Sequence, residues 1–66
     1  MAETDLQIAT RETSDQKHAV LRQHAVVLSL QREGGPKLER AIKLLDSLRD
    51  ELVVKEIRLE RLMIGA

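Results

Sequence analysis

The sequence contains no cysteine, no phenylalanine, no tyrosine and no tryptophan, and it has one proline and three glycines. Each shortage excludes something. Without cysteine there are no disulfides and no thiol chemistry, as suits a reducing compartment. Without aromatic rings, a core must be built from Leu, Ile, Val, Ala and Met, the composition of packed helices rather than a sheet protein. No excess charge of one sign is present either. Lys plus Arg is 11 and Asp plus Glu is 11, so no general attraction to nucleic acid or an anionic membrane is expected. No apolar run approaches the roughly 18–20 residues of a membrane span. The acidic start, Met1-Ala2-Glu3-Thr4-Asp5, lacks a signal pattern, so a cytoplasmic location is expected.

What is present is a leucine repeat. Leu38, Leu45, Leu52 and Leu59 recur at every seventh position, and Ala41, Leu48 and Leu62 form a second row beside them, interrupted by Lys55. This is a heptad seam on one long helix. Gly34-Gly35-Pro36 stands directly before it. A glycine past a helix end takes the left-handed conformation that closes the last turn, and proline suits the first position of the next helix. The pattern predicts an all-α, two-helix antiparallel hairpin over residues 1–66: helix 1 about 4–33, a turn at 34–35, helix 2 about 36–64.

Helix 1 has two competing start signals. Thr4 with Gln7 and Thr13 with Gln16 both fit a capping box. The first gives two helices of matched length; the second leaves residues 1–13 as a mobile acidic arm. Val20, Val27 and Leu30 keep the phase set by Leu6, Ala9, Thr13 and Gln16, with Gln23 a polar break. Ala25 to Leu30 contains a β-branched pair that favours a strand, but its helix-forming flanks argue for helix. Pivoting the hairpin at the glycines sets Val27 against Ile42 and Leu30 against Glu39. It also sets the polar stretch around Thr13 and Gln16 against the most apolar part of helix 2. Glu39–Lys43 and Glu51–Lys55 are spaced as i,i+4 ion pairs.

Chemistry-bearing constellations are weak. His18 and His24 are six residues apart, about 240° around a helix, so they do not converge on a metal. His24 lies between Leu21 and Leu28 at helical spacing, which would make an interface there pH-sensitive. Asp46, Asp50 and Glu51 form a solvated, charge-balanced face with Lys43 and Arg49 rather than an enclosed acid–base pair. Ser14, Ser29 and Ser47 stand in no nucleophile motif, and Gly34-Gly35 with Lys37 lacks phosphate-loop spacing. The expectation is therefore no catalysis, no cofactor and no metal.

Two helices bury one stripe each, and neither disulfide nor metal is available to reinforce them, so association is the remaining source of stability. The expected assembly is a homodimeric four-helix bundle, a non-catalytic protein–protein interaction module of structural, adaptor or regulatory type. Its interface residues are Leu38, Leu45, Leu48, Leu52, Val53, Ile57, Leu59, Leu62 and Met63 on helix 2, with Val20 and Val27 on helix 1. Helix 1 covers helix 2 to about Leu48, and Leu52–Ile64 is left for another chain.

In length, two helices and a tight turn, the layout resembles the Rop plasmid copy-number regulators, which implies an RNA-binding dimer. Arg11, Lys17, Arg22 and Arg32 would be its basic side, interspersed with Glu3, Asp5, Glu12 and Asp15. The layout is also similar to type III secretion co-chaperones, which implies a subunit docking its C-terminal helix on a larger protein. Neither resemblance extends to a residue motif.

Overall fold

The first helix begins where threonine can replace a missing backbone partner. The computed structural model describes residues 2–65, and its helix α1 spans Asp5–Leu30. Thr4 is extended; its hydroxyl accepts from the Gln7 N–H at 3.1 Å, and the Gln7 side chain accepts from the Thr4 N–H at 2.9 Å. Both halves of the capping box are closed, and Asp5 places negative charge at the positive end of the helix dipole. Residues 5–13 are thus helical. Thr13 does not start a helix; its hydroxyl donates to the Ala9 carbonyl at 2.7 Å.

Regular helix ends at Leu30, three residues before the Glu33 expected from sequence. The reason is a tightened last turn. Gln31 N–H still reaches the Val27 carbonyl, but Glu33 and Gly34 N–H both converge on the Leu30 carbonyl at 3.0 Å. Gly34 (φ 64°) and Gly35 (φ 86°) then turn left-handed, a conformation that costs any side chain with a Cβ. No atom lies within 4 Å of where that Cβ would stand, so the need for glycine here is conformational rather than steric. The link is therefore residues 31–35. Helix α2 spans Pro36–Gly65. Leu38 and Glu39 donate to the Gly35 carbonyl at 3.2 and 3.4 Å, while Pro36 has no N–H to satisfy.

The two helices lie side by side, and Ala25 to Leu30 is helical throughout. No strand occurs among the described residues. The hairpin measures 48 × 21 × 12 Å, with a radius of gyration of 15.1 Å, against about 11 Å for a globular domain of this length. It is a thin slab. No described helix is long and apolar enough to cross a membrane.

Burial follows the heptad phase on both helices. Ala9, Thr13, Gln16 and Val27 are buried on α1, and Ala41 and Leu45 on α2. Val27, Ala41 and Leu45 form the core cluster, with Val20, Leu30 and Leu38 against it. This corrects the expected register by about one residue. Val27 meets Ala41 rather than Ile42, which is turned outward and 41% exposed. Leu30 joins Leu38 in that cluster, while Glu39 stays in solvent. The longer link and tightened last turn shift the pivot, and the shift lets the two heptad rows interleave.

Candidate interaction surface

The seam continues to the open end of the hairpin, including where α1 is polar. Thr13 is 2% and Gln16 7% exposed. Amides in such positions need partners, and they find them across the hairpin. Gln16 Nε2 donates to the Leu48 carbonyl at 2.8 Å, and Gln23 Nε2 to the Ala41 carbonyl at 3.0 Å. Lys55 Nζ donates to Gln16 Oε1 at 3.2 Å. No buried side-chain polar atom among the described residues is left without a partner. Lys55 is therefore committed to the seam, and the expected Glu51–Lys55 pair does not close; nor does Glu39–Lys43. The ion pair formed among the described residues joins Arg11 to Glu3.

The sequence-predicted interface residues divide into two groups. Leu45 and Val27 are buried in the hairpin's own seam, and Leu38, Leu48, Leu52, Leu59, Leu62 and Val20 are half-buried along it. α1 thus covers α2 well beyond Leu48. Val53, Ile57 and Met63 face outward. Val54 and Ile64 join them, at 66% and 78% exposed. On α1, Leu21 and Leu28 are also large, apolar and exposed.

These outward residues fall into rows. On α1, opposite the seam, lie Arg11, Ser14, His18, Leu21, Ala25 and Leu28, with Arg32 of the link at the next position; on α2, Glu39, Lys43, Asp46, Asp50, Val53, Ile57, Glu60 and Ile64. Every one is exposed, and the spacing alternates between three and four residues, the mark of one face of a helix. Leu21 and Leu28 read from sequence only as the neighbours of His24 and are not in the expected interface set. The signal that would have found them is their i, i+4, i+7 relation through Ala25.

Neither histidine is buried, and no cluster of three metal-ligating side chains occurs among the described residues. Asp50, Glu51, Val54 and Lys55 border an open depression of about 300 Å³ on the flank of α2. Its lining groups do not converge on a point. No protein-family model matches the chain, and no curated protein or solved structure is significantly similar to it.

Proposed function

We propose that the chain is a non-catalytic protein–protein interaction module that acts by oligomerising, with a homodimer of hairpins, four helices in all, as its smallest assembly. The observation that carries this reading is the exposed apolar side chains Val53, Val54, Ile57, Met63 and Ile64 in the second half of α2. Contiguous exposure of that kind marks an interaction site. The area supports the same reading. The chain presents 5315 Å² to solvent, against roughly 4,200 Å² for a globular protein of its 7.5 kDa mass. The excess, roughly 1,000 Å², is comparable to the ~800 Å² that one partner covers in a specific complex.

Sedimentation equilibrium on the purified chain tests the proposal. The expected result is a mass of two chains or more, with helical ellipticity retained. A folded monomer across the micromolar to millimolar range would overturn it. The docking-subunit reading uses the same patch and predicts a poorly folded monomer that orders on meeting its partner. An RNA-binding dimer would instead bring nuclease-sensitive absorbance at 260 nm through purification.

A further inference from the structure

The two outer rows differ in charge. The α1 row carries Arg11 and His18, with Arg32 just beyond its end in the link, and no acidic residue. The α2 row carries Glu39, Asp46, Asp50 and Glu60 against the single base Lys43. These positions point away from the seam, and of their charged members Arg11 forms an ion pair within the hairpin, with Glu3. Each row also has an apolar segment. Leu21, Ala25 and Leu28 lie toward the turn on α1; Val53, Ile57 and Ile64 lie toward the open end on α2.

We propose that the α1 outer row of one copy docks, in parallel, on the α2 outer row of another. This rests on the self-association reading above and specifies how it is built. Setting Leu21 level with Val53 of the second copy places Ala25 level with Ile57 and overlaps almost the whole of both helices. Leu28 then comes level with Glu60, one turn from Ile57, and His18 level with Asp50, while Arg32 in the link follows toward Glu60 and Ile64. Arg11 comes level with Lys43, but Glu3 already neutralises it. Parallel docking requires the second hairpin to be inverted end over end. An upright neighbour would set Leu21 and Leu28 level with Ser47 and Arg40, losing the apolar match. The flat faces of the slab are poorer candidates. α1 offers them Thr10, Lys17 and His24 on one side, and α2 offers Lys37, Leu44, Glu51 and Arg58 on the other, with Leu44 a lone apolar residue in its row.

The two rows lie on opposite edges of the slab, and they are unlike. The contact is heterologous, so two copies do not close it, and each added hairpin leaves one free edge of each kind. The assembly is an open row of hairpins, alternately inverted, that lengthens with concentration.

The test is complementation between edge variants. Leu21→Asp/Leu28→Asp disables the α1 edge, and Val53→Asp/Ile57→Asp disables the α2 edge; the like charges keep the two altered edges from pairing with each other in a mixture. All four positions are exposed, and helical ellipticity at 222 nm verifies the fold. In sedimentation, the wild-type mass should exceed two chains and rise with concentration. Each variant alone should remain a single chain. An equimolar mixture should reach twice the chain mass and stop. An α1-edge variant that still dimerises alone, a wild type that halts at two chains, or a mixture that stays monomeric would each overturn the heterologous contact while leaving self-association standing. A wild type that is a folded monomer throughout overturns both.

Discussion

Replacing Gln16 and Lys55 together with leucine should make the hairpin more stable. In the wild type these two side chains occupy successive positions of the seam and bond to one another and to the Leu48 carbonyl. Each such bond contributes only about 1 kcal/mol net, because the unfolded chain makes equivalent bonds to water. A leucine taken fully out of water contributes about 1.5–3 kcal/mol. Gln16 is 7% exposed, so its site delivers most of that; Lys55 is half-buried and delivers less. The Leu48 carbonyl is not orphaned, since it keeps its place in the α2 ladder. The expected gain is about 2 kcal/mol, or a rise of roughly 10 °C in melting temperature for a domain of this size.

Gln16→Ala alone should go the other way, losing about 1–2 kcal/mol through the missing bonds and the space left behind. The opposite signs make the reasoning sharp. Urea unfolding followed at 222 nm gives both values, at one fixed low protein concentration because association adds its own stability. If the double leucine variant unfolds at or below the wild-type midpoint, the polar rungs stabilise the hairpin more than leucine would, and the account of the seam is wrong.

Substituting the first capping residue, Thr4→Ala, should cost about 1 kcal/mol, seen as faster amide exchange confined to the first turns of α1. Gly34→Ala should cost about 1–2 kcal/mol from left-handed strain alone, and Gly34→Asn distinctly less, compared by denaturation midpoint. Leu52→Asp and Ile57→Asp should separate fold from association. The first places a charge in the seam and lowers helicity; the second leaves helicity unchanged and lowers the sedimenting mass.

The hairpin was legible because its signals are local. Gly34, Gly35 and Pro36 act on backbone torsions, and leucine at every seventh position acts on one helix face. Neither depends on a partner. The second capping pattern, Thr13 with Gln16, was ambiguous for the same reason: it matches the first in residue type and spacing. Only the opposing helix decides between them, by offering Gln16 the Leu48 carbonyl. The interface residues were legible as apolar but not as inward or outward. Leu52 and Val53 are neighbours of similar hydropathy, yet one belongs to the seam and the other to the outer row. A shift of one residue in register moves a side chain by about 100° around the helix, and that register was set by a link longer than the two glycines suggested.

The distribution of polarity is itself an argument about what the fold serves. A hairpin built only for its own stability would place Val54 and Ile64 inside and Thr13 and Gln16 outside. This chain does the reverse, with Thr13 at 2% and Ile64 at 78% exposure. The seam's amides favour this pairing of the helices, because Gln16 and the half-buried Gln23 each donate to an α2 carbonyl in it, and polar groups in such a seam set register at some cost in stability. A fixed register in turn fixes the outer rows. If α2 rotated by one residue, Val53, Ile57 and Ile64 would leave the edge and the acidic row would break up. The polar seam and the apolar edge are then parts of one design: the inside gives up stability to hold the outside in a form that another copy can recognise. The double leucine variant probes that link as well as the seam. By removing the Gln16 rung it should stabilise the hairpin and, if register loosens, weaken the association read by sedimentation. Stability and assembly moving in opposite directions is the outcome this reasoning requires, and a variant that gains both would show that the rungs do not govern the edge.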